Sequence, residues 1–391
     1  MRGISADVTP RAPANSPGTG LGTGWEPAAL LMATLLLLAF GLVNLYSASA
    51  FLAQRQSLPD TFYVLRQAAG VAVGLVLLAG CARFPYTWWR FLAWPLVAGV
   101  WFATLLTILP WTTELAPVIN GARRWLHLGV TVQPSEFAKL AILVWTAHLA
   151  VKKQEHFRSL SRGLLPFLLV WSVLLFPVLL QPDLSTAFVA GLLGAVVIFA
   201  AGARIGHFLF LGLLLAPLAM AQLFSGFRGE RLRAFIDAEG HGGGAGYQVH
   251  QSLIALGSGG AMGVGFGEGR QKFGFLPEPH NDFIFSMIGE EWGLLGTGFL
   301  IVTYMGIVLV GFRIAGRTPD LFGQLLAIGF TSLIAIHAGL HIAVGLGVIP
   351  PTGLPLPLVS YGRSNLLVTL IGIGILISVA RGDPRARRLH G

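Results

Sequence analysis

The chain has 391 residues, 54% of them hydrophobic and only 11% charged, with a net charge of +9. A soluble domain carries roughly 25% charged residues, so this composition excludes one and assigns the chain to a bilayer. The Arg and Lys punctuate apolar runs instead of forming one basic face, which argues against nucleic acid and for membrane topology and anionic-lipid contact. The single cysteine, Cys81, rules out an internal disulfide or a cysteine metal site.

Residues 1–25, rich in Gly, Pro, Ser, Thr and Ala, read as a disordered cytoplasmic tail. They are not a cleavable signal, because the apolar run that follows is long enough to span. Ten spans are predicted, near 28–50, 62–82, 87–109, 134–151, 164–181, 184–201, 206–224, 283–312, 321–346 and 364–380, within a membrane domain of 26–381. The expected fold is therefore an all-α integral membrane protein of about ten transmembrane helices. A polar break, Gln181-Pro182-Asp183, parts the fifth span from the sixth, with Asp183 placed to cap the sixth. The Lys and Arg of the short connections favour both termini in the cytoplasm, and the basic tail 382–391 then lies on the inner leaflet. Two extracytoplasmic loops, about 110–133 and about 225–281, are too long to be mere connectors. No internal repeat is visible, so the inverted-repeat signature of many secondary transporters is missing.

The polar groups that a bilayer does not explain gather at the outer ends. Arg123 and Arg124 beside Trp125 suit an anionic headgroup or phosphate, or snorkelling at the interface. Pro134 suits a first helical turn, and Glu136 and Lys139, three apart, share a face that should point into the bundle or a wet cavity. In the second loop Arg228, Arg231 and Arg233 precede a glycine-rich stretch. Those glycines are read as letting backbone approach a ligand or re-enter the membrane, and not as a dinucleotide fingerprint, which needs an α/β unit. Arg270 and Lys272 stand about ten residues before Asp282. Pro277 and Pro279 disfavour helix there, so Asp282 sits where loop turns into span, and Asn281 or Asp282 can cap it. A carboxylate at that place reaches water and lipid headgroups at once. His337 and His341 have metal-ligand spacing, though two histidines alone more often pack or hydrogen-bond. The proline-rich run from Pro350 to Pro357 must be buried in protein or line a cavity.

Several stretches in order resemble the SEDS family (shape, elongation, division and sporulation), whose members include RodA and FtsW. They are Arg-Trp-x-x-Leu-Gly and Gln-Pro-Ser-Glu-x-x-Lys within 124–139, Gln-Pro-Asp-Leu at 181–184 and Gly-Tyr-Gln-x-x-Gln-Ser at 246–252. Leu-Pro-Glu-x-His-x-Asp-Phe-Ile-Phe at 276–285, Gly-Glu-Glu at 289–291 and Ser-Tyr-Gly at 360–362 complete the set. The stretches at 251–260 and 270–272 look closer to FtsW, the division member, than to RodA. Departures include Asn281 where the family usually has Thr, and Arg363 and Asn365 where Gly and Ser are common.

The resemblance implies a SEDS fold and a peptidoglycan glycosyltransferase, polymerising lipid II at the outer face of the bacterial cytoplasmic membrane, in division or elongation, beside a class B penicillin-binding protein. The family's essential aspartate matches Asp282, the expected base on the acceptor 4-hydroxyl. Arg123, Arg124, Arg270 and Lys272 are the expected pyrophosphate contacts, with a divalent cation (Mg or Mn) as an optional helper. Glu136, Lys139, Glu278, His280 and Ser360 are expected to line the substrate site. The alternative is a lipid II flippase, which would need a polar path through the whole membrane; the outward clustering of polar motifs favours the polymerase.

Overall fold

The computed structural model describes residues 24–382, apart from 120, 128, 158, 211 and most of 214–243. Most of the expected seventh span, Arg158, Arg228, Arg231 and nearly all of both terminal tails lie outside the described residues. The described helices are α1 (Glu26–Arg55), α2 (Phe62–Arg83), α3 (Trp89–Ile108), α4 (Pro134–Lys153) and α5 (Leu165–Leu180). They continue as α6 (Leu184–Ala200), α7 (Ala245–Gly259), α8 (Ile284–Arg317), α9 (Leu321–Gly345) and α10 (Arg363–Arg381). All but α7 answer to expected spans, and α7 folds inside the expected second loop. Among the described residues, seven helical stretches are long and apolar enough to cross a membrane, and α6 is a shorter apolar helix. The chain is a multi-pass membrane protein.

Local signals set the boundaries. Pro134 opens α4, and Asp183 caps α6 by accepting from the Thr186 amide at 3.3 Å. Asp320 caps α9 by accepting from Gly323 N at 2.9 Å. The first long loop carries a two-stranded ladder, β1 (Leu126–His127) against β2 (Thr131–Val132).

The bundle has an inside and a lipid side. Of the apolar windows of α10 and α9, 89% and 67% are buried, against 22% for α2 and α3. So α9 and α10 form the centre, and α4 joins them with residues buried all round. Small residues let backbones close up where α2 meets α10: a Cβ on Gly374 would stand 2.7 Å from the Leu78 carbonyl oxygen. At the end of α8 remote from Asp282, Glu26 binds Arg313 at 3.1 Å and Arg317 at 2.5 Å. Asp320 there meets Arg90 at 3.3 Å and the Tyr86 hydroxyl.

The expected span at 283–312 is one apolar run, but α8 is broken inside it. Gly293 adopts φ 62°, ψ −151°, which a residue with a side chain would strain to hold. The freed backbone groups find partners in the glycine-rich stretch after α7. Leu294 N donates to Gly260 O at 3.0 Å and Leu295 N to Ala261 O at 3.3 Å. In return Val264 N donates to Glu290 O at 3.0 Å and Gly265 N to Glu291 O at 3.1 Å. Irregular backbone inside a membrane domain needs such internal satisfaction. Gly259, Gly263 and Gly293 are thus sites where two stretches of this chain touch, since a Cβ on any of them would strike the facing backbone.

Candidate functional site

Asp282 sits on a strap formed by residues 276–283. Asn281 N and Asp282 N both donate to Glu278 O, at 3.2 and 3.1 Å, closing a turn in which Glu278 takes φ 49°. That turn delays the helix. The cap position falls to Phe283, which makes no side-chain capping bond, so the expected cap at Asn281 or Asp282 is displaced. Asp282 is partly exposed while Phe283 and Ile284 are buried. Its Oδ2 faces Gly353, where a Cβ would lie 3.9 Å away, and Gly353 is itself exposed. The exposed Gly353 backbone thus forms part of the wall beside the carboxylate.

The proline-rich segment that forms this wall is held from several sides, as its buried setting requires. The Ser360 hydroxyl donates to Asn281 O at 2.7 Å and accepts from Leu356 N at 2.9 Å. Tyr361 N donates to His280 O at 3.0 Å. From α2, Gln67 donates to Ser360 O at 3.1 Å and accepts from Gly362 N at 3.3 Å. The Tyr304 hydroxyl donates to Pro357 O. His280 is buried between Tyr63 and Tyr361, with ring centroids 5.0 and 5.6 Å away. Burial pushes its imidazole down to about 4, so it is neutral at pH 7. Glu278 is half exposed, 3.8 Å from His280 Nε2, and desolvation raises its carboxyl above the ordinary 4.5.

A second cluster lies under α10's start. Lys139 Nζ is 2.7 Å from Glu136 Oε2, both buried, so the expected shared face does point inward. Asn365 donates to the same Oε2 at 3.0 Å, and His337 Nε2 lies 3.2 Å from the ammonium. Above it, Gln133 and Ser135 donate to Asp183 Oδ2 at 3.1 and 3.2 Å. Gln133 N also donates to the Ser364 hydroxyl at 2.8 Å. Arg124 donates to Gln181 O and Pro182 O, both at 2.9 Å, and so clamps the turn between α5 and α6. Arg123 turns back into its own loop, to Ala116 O at 2.9 Å and the Thr112 hydroxyl at 3.3 Å.

The third cluster sits beside the break in α8. Lys272 Nζ donates to Gly267 O at 2.6 Å, Ser47 Oγ at 2.9 Å and Glu291 Oε1 at 2.9 Å. That commits all three of its donors in a buried setting. Lys272 was expected to meet pyrophosphate; in the structure it is Glu291's counter-ion. Arg270 is exposed at its side chain, and only its amide is used here, donating to Glu290 Oε1 at 2.8 Å. Of the four expected cations, Arg270 is the one that is exposed.

These motifs in one bundle match a known family. The FtsW, RodA and SpoVE family model, described as "Cell cycle protein", matches residues 28–384. The chain belongs to the SEDS family. Relatives of this SEDS protein include stage V sporulation protein E of Bacillus subtilis (strain 168), 38% identical over 90% of this chain and 96% of that protein. A protein named probable peptidoglycan glycosyltransferase FtsW, from Trichlorobacter lovleyi, is also 38% identical, over 90% and 92%. Among solved structures, a chain from work on "polymerization and crosslinking by a peptidoglycan synthase complex" aligns with a TM-score of 0.74 at 30% identity, covering 90% of this chain and 96% of that one. The rod shape determining protein RodA of Thermus thermophilus aligns at 0.66 and 29%, covering 92% and 96%.

Within the SEDS frame two departures gain a place. Asn365 inserts its amide into the Glu136–Lys139 cluster, and Arg363 lays its Cγ 3.2 Å from where a Cβ on Gly70 would be. Tyr63 and Gln67 were not singled out from sequence. Their one available signal is polarity at the start of an otherwise apolar span.

Proposed function

We propose that this SEDS protein is a peptidoglycan glycosyltransferase that polymerises lipid II, with Asp282 as general base. The observation that carries the reading is a contrast among carboxylates. Glu136, Asp183, Glu290 and Glu291 are only 2–6% exposed. Asp282 is partly exposed, is held by a backbone turn, and turns its Oδ2 toward exposed Gly353. The names of the relatives support the same chemistry.

The reaction asks for one carboxylate. A donor sugar on polyprenyl pyrophosphate already has its leaving group, so no acid is needed at that oxygen. Asp282 takes the proton from the acceptor 4-hydroxyl as its oxygen bonds to the donor C1. The bond from C1 to the pyrophosphate oxygen breaks, the electron pair leaves with the diphosphate, and attack from the opposite face turns an α link into a β-1,4 link. Arg270 is the best placed of the cations to meet the diphosphate. A divalent cation, Mg or Mn, would be carried largely by the substrate. Among the described residues no group of three His, Cys, Asp or Glu is poised for a metal, and magnesium is commonly held by one or two carboxylates plus phosphates. The partner is a class B penicillin-binding protein, the site faces outward from the cytoplasmic membrane, and the FtsW and SpoVE relatives favour a division-type role over elongation.

The test supplies labelled lipid II to the purified protein, alone and with its penicillin-binding partner, beside Asp282→Asn. Long glycan from wild type and none from the variant is expected. Full activity in Asp282→Asn would remove the base assignment. Lipid II scrambling in liposomes that survives the substitution, without glycan in either case, would favour the transporter.

A further inference from the structure

Two arginines end their helices side by side at the face remote from Asp282. Helices α2 and α10 both start near the strap, where Gln67 of α2 bonds the Ser360 carbonyl and the Gly362 amide. They run on together, with Gly374 closing on Leu78, and finish at Arg83 and Arg381. The 19 residues of α10 span roughly 28 Å, close to the hydrocarbon thickness of a bilayer. Both arginines therefore stand at headgroup depth, and both are exposed. Between them lies a cavity of about 280 Å³ whose lining includes Arg83, Phe84, Pro85, Ser378 and Arg381. The Ser378 hydroxyl donates to Phe84 O at 2.6 Å and fixes the turn after α2 against α10. Arg83 Nη1 donates to Ala79 O at 3.2 Å, and Arg381 Nη1 to Ala82 O at 3.3 Å. These bonds satisfy open carbonyls at the end of α2 and hold both guanidinium groups beside the cavity. A guanidinium has donors to spare after one such bond.

We propose that this cavity binds the phosphodiester of an anionic phospholipid, which ties the end of α2 to the end of α10. No acid lines it among the described residues. The two buried acids of this face belong to other cations: Glu26 holds Arg313 and Arg317, and Asp320 holds Arg90. Two like charges on one cavity repel, and an anion between them turns that repulsion into attraction. Guanidinium forks match phosphate oxygens in shape as well as charge. A basic pocket between membrane helices at headgroup level is the form that such lipid sites take. Phe84 and Trp88, 61% and 48% exposed, offer apolar surface at the same level for the rest of the lipid. A zwitterionic headgroup would bring its own cation against the two arginines, so the fit is to a lipid with net negative charge. The site does not depend on Asp282 being the base. In the orientation proposed above it opens to the cytoplasmic leaflet.

Native mass spectrometry of the full chain in detergent, titrated with phosphatidylglycerol or phosphatidylcholine, tests this. Wild type is expected to hold phosphatidylglycerol about tenfold more tightly, the weight of one charge-assisted contact. Equal affinities overturn the proposal whatever the variants do. Arg83→Gln combined with Arg381→Gln is expected to remove that preference. The control is Lys152→Gln combined with Lys153→Gln. It takes the same charge from the last turn of α4, which also begins at the Asp282 side and ends at this face. The control should keep the preference within about twofold, as screened surface charges do; equal losses in the two double variants would mean diffuse charge and no site. Arg83→Lys combined with Arg381→Lys keeps the charge and gives up the forks, so it answers even if the glutamine protein does not fold. A severalfold loss is expected, and wild-type affinity would remove the guanidinium site. Inorganic phosphate should not displace the lipid; if it does, the ligand is a free anion and the lipid assignment falls. Removal of residues 383–391, which carry Arg385, Arg387, Arg388 and Asp383, should leave lipid affinity within about twofold. A severalfold change in either direction would make the tail the binder or the occupant and overturn the assignment.

Discussion

Asp282 and the pair Glu290 and Glu291 are acids within ten residues of one another, yet they are built in opposite ways. Glu291 accepts from Ser47 at 2.5 Å and from Lys272 at 2.9 Å, and Glu290 from the amides of Arg270 and Gln271 at 2.8 and 3.3 Å. Both are 2–3% exposed. They fasten α1 and the glycine-rich stretch to the break in α8. Asp282 is held by its backbone, through Glu278 O below and the Ser360 and Tyr361 contacts on either side, and the residue is partly exposed. A carboxylate whose oxygens are committed to buried donors is a fastener. A partly exposed one whose main chain is fixed can act as a reagent.

The largest effect should separate these two kinds outright. Asp282→Asn is expected to lower glycan polymerisation by about 10²–10⁴-fold, the usual worth of a positioned base, with the thermal transition unchanged. Lys272→Met should do the reverse. It strands the buried Glu291 carboxylate and is expected to cost about 3–5 kcal/mol in a thermal or denaturant melt. Adding Glu291→Gln should recover most of that loss, because the uncompensated charge is gone. A stable but inactive Lys272→Met would break the comparison and return Lys272 to the substrate. Ser360→Ala sharpens it from the other side. It removes the donor to Asn281 O and the acceptor for Leu356 N, and should cost about 1–3 kcal/mol. Unlike Lys272→Met, it should also lower kcat in proportion, since the strap it releases carries Asp282.

The smallest effect near neutral pH belongs to His280. Its folded value of about 4 lies below the ordinary 6.5, so between these the unfolded chain binds more protons. The stability held in the neutral ring is full above about 6.5 and is lost as pH falls toward 4. Urea titrations across that window should show the slope, and His280→Phe should flatten it.

Much of this was legible before any coordinates. The apolar runs and their polar breaks outlined nearly every described helix, because span length is set by bilayer thickness. Glu136 and Lys139 could be paired from their spacing alone, because three residues make nearly one turn. Asp183 as a cap was legible for the same local reason. What was hidden is long-range. Lys272 meets Ser47 across 225 positions and Lys139 meets His337 across 198, and no local pattern marks either contact. The break at Gly293 was hidden too. Gly289, Gly293, Gly296 and Gly298 look alike in sequence, and only the approach of Gly260 and Ala261 decides which of them leaves the helix.

That break bears on how the protein is made. The carbonyls that receive Leu294 N and Leu295 N belong to Gly260 and Ala261, about thirty residues earlier in the chain. They have left the ribosome before the residues that need them. When the longest helix of the bundle emerges, its interrupted turn meets acceptors already synthesised, so its two halves can enter the bilayer one after the other without an orphaned amide at depth.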